Sequence, residues 1–223
     1  MHPFRPILAG AAFPGRLIAC LGAAICIPLT IVICAEAPQA AADLPIIVAP
    51  LGASAVLVFA VPASPLAQPW PVVGGNILST LVGVAVFRLI PNVTLAAGLA
   101  VGGAILLMSL LRCLHPPGGA AALTAVIGSQ SIHTAGYDFA FTPVGISSIA
   151  LVSLATAFHR VTAGNYPHQP ATAPAASSGL QAVDIDAALA DLHEGFDIDP
   201  ADLAALLQRA EFHAQRRERP AGR

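Results

Sequence analysis

Pro50-Leu51-Gly52-Ala53-Ser54-Ala55-Val56-Leu57 and Pro116-Pro117-Gly118-Gly119-Ala120-Ala121-Ala122-Leu123 share the pattern P-x-G-small-small-A-x-L. Each interrupts an apolar stretch with Pro and Gly. Pro at the first position of a helix loses no useful donor, and Gly lets a second backbone approach. The residues downstream of the two patterns also match loosely: Pro71-Val72-Val73-Gly74 and Pro143-Val144-Gly145 each open the next apolar segment. Each half of the chain therefore reads as span, broken element, span. Gly/Pro-interrupted segments at matching positions of two halves point to a transporter's substrate site. The plainer alternative is a pair of kinked helices packing on small residues.

The surroundings make this a membrane pattern. The chain has 223 residues, 56% of them hydrophobic and 10% charged, with no Lys. Soluble domains carry about 25% charge. Residues 17–162 hold six formal charges, namely Glu36, Asp43, Arg88, Arg112, Asp138 and Arg160. Such a stretch cannot present a wetted globular surface. A soluble enzyme body is excluded, as is a nucleic-acid binder, which needs a basic face. The mean hydropathy of +0.76 agrees with an integral membrane protein.

Six apolar segments can be drawn: 17–35, 44–62, about 72–90, 93–111, 117–129 and about 143–159. A full crossing needs about 20 residues. The fifth segment is short and the second is interrupted, so these two are the candidate half-helices. If both cross, there are six crossings and the halves are inverted. Arg16, Arg112 and Arg160 are then cytoplasmic and Arg88 is not. If both are re-entrant, there are four crossings and the halves are parallel. Arg16, Arg88 and Arg160 are then inside. The positive-inside rule fits three of four either way. Both arrangements put both termini in the cytoplasm. The first segment is read as a retained span. Arg16 abuts the lipoprotein-like Leu17-Ile18-Ala19-Cys20, and the run before Ala35-Glu36-Ala37 is too long for a signal core.

After residue 162 the chain turns polar. Residues 163–179 read as a Pro/Ala/Ser linker, and 180–217 as an amphipathic helical hairpin with a net charge of −4 for 163–223. Its first helix runs about 184–194, with Asp184 as N-cap and Gly195 as stop. The second runs about 200–217, with Asp199 as cap, Pro200 at the first helical position and Arg216, Arg217 and Arg219 at the end. The acid-rich stretch 191–202 is not a calcium loop, because His193 and Gly195 stand where oxygen ligands belong. Cys20, Cys26, Cys34 and Cys113 lack metal-ligand spacing and read as small buried hydrophobes.

His115-Pro116-Pro117-Gly118-Gly119, with residues 50–57 and Ser64-Pro65-Leu66-Ala67-Gln68-Pro69, resembles the HPP family of integral membrane proteins. The resemblance runs over about residues 14–162. It implies four transmembrane spans and, from plastid and cyanobacterial relatives, nitrite transport. The tail resembles the segment preceding paired CBS domains in longer bacterial relatives, and nucleotide regulation through such domains is not implied here.

The expected fold is all-α. It comprises a polytopic membrane helix bundle of four to six crossings over 14–162, with an internal repeat, and a small cytoplasmic helical tail. The expected function is that of a permease or channel-like carrier for a small solute, with a small anion such as nitrite favoured. No catalytic constellation, ATP-binding loop, metal site or cofactor is expected. The candidate binding residues are Pro50, Gly52, Ser54, Asn76, His115, Pro116, Pro117, Gly118, Gly119 and Thr124, with Arg112 at the pathway entrance. Two helix N-termini, at 50–54 and 116–120, would face one another and replace part of an anion's hydration. His115 either caps the preceding helix or lines the pathway. In the second case its protonation would favour anion occupancy as pH falls, and His115→Gln would flatten the pH profile. Asn76 and Ser79 are otherwise interhelical hydrogen-bond glue, and Trp70 an interfacial anchor. The rival function is a non-transporting sensor or scaffold whose tail binds a protein partner. Besides lipid and solute, a homo-oligomer is among the partners considered. The expected setting is a bacterial inner membrane.

Overall fold

A computed structural model describes residues 13–35, 49–169, 182–192 and 197–218. Apolar runs free of charge close their own backbone hydrogen bonds, which is the condition for crossing lipid. The described residues are accordingly mostly helical, with no strand among them. Four helices are long and apolar enough to cross a bilayer: α1 (Phe13–Ala35), α3 (Pro69–Leu89), α4 (Val93–Leu110) and α7, whose apolar run is Ala140–Val161. Two shorter apolar helices, α2 (Ala49–Ala60) and α5 (Pro116–Ile127), start at the two Pro/Gly patterns. Twelve residues of helix rise about 18 Å, against a hydrocarbon core of about 30 Å. A six-residue helix, α6 (Gln130–Ala135), follows α5 after two extended residues, Gly128 and Ser129. The tail forms α8 (Ala182–Leu192) and α9 (Pro200–Glu218).

Successive membrane elements reverse direction. A Cβ on Gly22 of α1 would strike Phe59 of α2 and Phe158 of α7. The Val58 carbonyl lies 3.1 Å from His159 Nε2. The Tyr166 hydroxyl donates to Ala67 O at 3.0 Å. Trp70 Nε1 donates to Leu111 O at 3.2 Å. These contacts gather the N-terminal half of α1, the ends of α2, α4 and α7, and the start of α3 toward one end of the bundle. At the other end Phe87 stacks on His133 and Arg88 lies 4.8 Å from the Tyr137 ring centroid. Arg16, Arg112 and Arg160 thus belong to one end and Arg88 to the other.

The core rests on close backbone approach between α3 and α5. Gly75, Ser79 and Gly83 are spaced four apart on one face of α3, and a Cβ on Gly83 would come within 2.4 Å of Ala122 O. One on Gly118 would meet Ser79 Oγ at 2.7 Å. In lipid, where apolar side chains gain nothing by leaving the solvent, such small-residue contacts provide the van der Waals attraction between helices. Ala96, Ala100, Ala104 and Met108 of α4 complete this cluster. A second cluster joins Cys26 of α1, Leu51, Ala55, Val58 and Phe59 of α2, and Leu151 and Ala155 of α7.

Several boundaries shift from the sequence reading. The tail's first helix begins at Ala182, so Asp184 sits inside its first turn instead of capping it. Asp199 does cap α9, its Oδ1 accepting from Ala201 N at 2.8 Å. Gly195, the Arg219 position and residues 170–179 lie outside the described residues. The described start of the expected linker, 163–169, is held against the bundle. Tyr166 is buried there because its ring packs on His159 and its hydroxyl reaches Ala67 O. All four cysteines are free; Cys20 is exposed and the other three are buried.

Candidate functional site

The two broken elements meet at a buried hydrogen bond. Ser54, one turn into α2, lies 2.8 Å from His115 Nε2. Both residues are fully buried. The other ring nitrogen, Nδ1, lies 2.9 Å from Leu66 O. A carbonyl can only accept, so Nδ1 carries a proton. In the neutral ring Nε2 is then the acceptor, and Ser54 donates to it. Ser54 Oγ also lies 3.0 Å from Pro50 O, the usual back-bonding position four residues earlier in a helix. A hydroxyl has one proton, so it serves His115 or Pro50, not both.

The chain of polar contacts continues through α3 into α7. Asn76 Nδ2 donates to Ser54 Oγ at 3.4 Å and to Ser148 Oγ at 3.2 Å. Asn76 is buried, and its Oδ1 has no partner among the described residues. Beside it lies a cavity of about 10 Å³, the space of one water. Pro50, Leu51, Asn76, Thr124, Ser147 and Ser148 line it, together with Ala121, Phe139 and Val144. None of these residues is charged.

The loop between α2 and α3, residues 61–68, holds this centre from outside. Ser64 Oγ accepts from Leu66 N at 3.1 Å and donates its proton to the Asp197 carboxylate, whose oxygens lie 2.8 and 2.9 Å away. Gln68 Nε2 donates to Pro62 O and Ser64 O, both at 2.9 Å. Gln68 Oε1 accepts from His168 N at 2.9 Å, and His168 Nε2 pairs with Asp202. The segment that carries Leu66 O to His115 is therefore fastened to the C-terminal tail. Tyr166, beyond the last span, is pushed above the ordinary phenol range by burial, so its hydroxyl remains a donor to Ala67 O.

Among the candidate residues the structure brings together Pro50, Ser54, Asn76, His115 and Thr124. It leaves others apart. A Cβ on Gly52 would meet nothing within 4 Å, so that glycine makes no close approach. Pro116 is exposed and Gly119 half-buried on α5. Pro117 and Gly118 are buried. Gly118 lies against Ser79 and Gly75, packing α5 on α3. Arg112 is exposed in the turn between α4 and α5, with φ +53°, and does not reach the cavity. The two helix ends do not share one cavity either. α2 contributes Pro50 and Leu51 at its start, whereas α5 reaches the cavity through Ala121 and Thr124, a turn and more inside. His115 neither caps a helix with its side chain nor stands open to a pathway, because both nitrogens are engaged inside the protein. Trp70 is exposed and anchored on Leu111 O. Ser79 donates to Met108 Sδ at 3.2 Å.

Sequence reasoning missed Ser148 and Leu66. A signal existed for the first: Ser148 stands five residues after Pro143, as Asn76 stands five after Pro71. Leu66 acts through its carbonyl, which no residue type announces.

Four helices long and apolar enough to cross a membrane, with a buried polar centre where α2, α3, α5 and α7 meet, define a polytopic helical membrane protein. The chain belongs to the HPP family, whose transmembrane region matches residues 10–167. A transmembrane protein of Dictyostelium discoideum is 42% identical over 120 residues, covering 52% of this chain and 41% of that protein. A second transmembrane protein of the same organism is 40% identical over 104 residues, covering 45% of this chain and 33% of that one. The match thus spans less than half the length of these relatives. No solved structure matches the chain.

Proposed function

We propose that the protein is a permease or channel-like carrier for a small solute, with a small anion such as nitrite as the leading candidate. The observation that carries this reading is the buried Ser54–His115 contact, which joins two Pro/Gly-broken helices and leads through Asn76 to a small cavity inside the bundle. Polar groups at membrane depth are costly, and a mere anchor has no use for them. The anion is suggested by the family resemblance, and the site's hydroxyls and amide suit a small polar solute. The inverted internal repeat is part of the proposal. It is supported by the alternating helix directions and by Asn76 and Ser148, at equivalent distances from Pro71 and Pro143, meeting at 3.2 Å. The positive-inside rule then puts the end bearing Arg16, Arg112 and Arg160, and both termini, in the cytoplasm. A bacterial cytoplasmic membrane is the setting the resemblance implies.

The test is influx of nitrite and other small anions into proteoliposomes of the full chain, against protein-free vesicles. Protein-dependent uptake that falls in Ser54→Ala and Asn76→Leu supports the reading; absence of uptake for every small solute refutes it. The rival reading, a sensor or scaffold, is favoured by one feature. The tail's Asp197 and Asp202 engage the protein's own loop and post-span segment, as a regulatory contact would. Tail removal that changes partner capture while flux stays absent would select it.

A further inference from the structure

Resting on the transport reading above, we infer that the centre takes its solute as a neutral hydrogen-bond donor: the protonated, conjugate-acid form of a small oxyanion, and not the bare anion. The argument is one of proton direction. His115 Nδ1 donates to Leu66 O. With the ring neutral, Ser54 spends its only proton on Nε2 at 2.8 Å. With the ring protonated, Ser54 accepts from Nε2 and turns its proton to Pro50 O at 3.0 Å. In neither case can Ser54 donate to Asn76. The Asn76 amide therefore presents its NH₂ to Ser54, as observed, and a reversed amide would set its carbonyl against a Ser54 lone pair.

That orientation fixes what remains. Asn76 is 3% exposed, lines the cavity, and keeps Oδ1 without a partner among the described residues. An unpaired buried acceptor costs free energy that a donor relieves and an anion increases. No charged or titratable side chain lines the cavity among the described residues, and His115 reaches it only through Ser54. The cavity, the space of one water, must widen to admit the solute. A bare anion there would meet the amide carbonyl with no counter-charge, whereas an acid's O–H can donate to Asn76 Oδ1. The balance is simple. An anion takes up one proton from water on one side of the membrane, crosses as the neutral acid, and releases that proton on the other side. One proton therefore moves with each anion and no net charge crosses.

The experiment uses the full chain in proteoliposomes with a lumenal pH dye. Nitrite is compared with nitrate, which is similar in size but is the anion of a strong acid. Membrane potential is set by a potassium gradient with valinomycin, and protein-free vesicles give the passive permeation of the acid itself. The expected result is protein-dependent nitrite uptake that acidifies the lumen and ignores the imposed potential, with no nitrate uptake. Its rate should rise about tenfold per pH unit lowered, as the acid fraction does well above its pKa. Nitrite uptake that follows an inside-positive potential without acidification, or equal uptake of nitrate, overturns the inference and leaves the transporter reading standing. A second measurement does not depend on flux: the melting temperature of the purified chain with nitrite or nitrate. Stabilisation by nitrite that grows as pH falls, and is absent in Asn76→Leu, supports the inference even if transport fails. Stabilisation independent of pH, or matched by nitrate, overturns it, and neither flux nor stabilisation overturns both. The wild-type comparison of the two anions stands even if Asn76→Leu does not fold.

Discussion

Gly83→Ala tests the contact on which the bundle depends. The added methyl would sit 2.4 Å from Ala122 O, 2.9 Å from Ala125 Cβ and 3.0 Å from Ala122 Cα. Comfortable separations for such atoms are about 3.5–4.0 Å, so α3 and α5 must part by about 1 Å. Two of the three obstructing atoms are backbone, so no side chain can swing aside. Overpacking of a filled site costs about 1–3 kcal/mol, and rigid neighbours put this one at the upper end. Against that, replacing a helical glycine by alanine returns about 0.5–1 kcal/mol. The net loss is about 2 kcal/mol, or a fall of about 4–8 °C in Tm at the scaling of chains this size. The control is Gly102→Ala on α4, where a Cβ meets nothing within 4 Å and Tm should hold or rise slightly. Both are measured by thermal unfolding of the purified chain in one detergent. A Gly83→Ala protein that melts with or above wild type would refute the close α3–α5 approach.

Three further outcomes are expected. His115→Ala strands the Leu66 carbonyl and should cost about 1–3 kcal/mol in unfolding experiments. His115→Gln should keep the pH dependence of uptake, because that dependence belongs to the solute; a flattened profile would restore His115 as the titrating group. Tyr166 has a folded pKa raised by burial, so its contribution is intact below the unfolded value of about 10 and is lost as pH rises beyond it. Tyr166→Phe should remove that alkaline loss in pH-resolved melting curves and cost about 1 kcal/mol at neutral pH through the bond to Ala67 O. Truncation after residue 169 should leave membrane insertion intact, read as resistance to alkaline extraction. It should lower Tm because Ser64 loses Asp197; loss of insertion would make the tail part of the membrane core.

The sequence by itself determined the class. Six charges in residues 17–162 leave no way to wet that surface, and Pro50 and Pro116 mark where two helices must start. Charge count and Pro chemistry are local properties, so they survive without coordinates. The spans and the short helices were legible on that basis, and Ser54, Asn76 and His115 could be named as candidates, which the structure joins in one hydrogen-bonded group. Only the tertiary structure decided what those residues do. The serine proton that sets the direction of Asn76 is claimed by a histidine 61 positions away, and that histidine is fixed by a carbonyl at Leu66. The same holds for Gly52 and Gly118, which hold the same place in the two Pro/Gly patterns. One faces open space and the other is wedged against Ser79, because α5 packs on α3 there. Hydrogen-bond direction and close packing depend on the neighbour across the interface, and the neighbour is chosen by the fold.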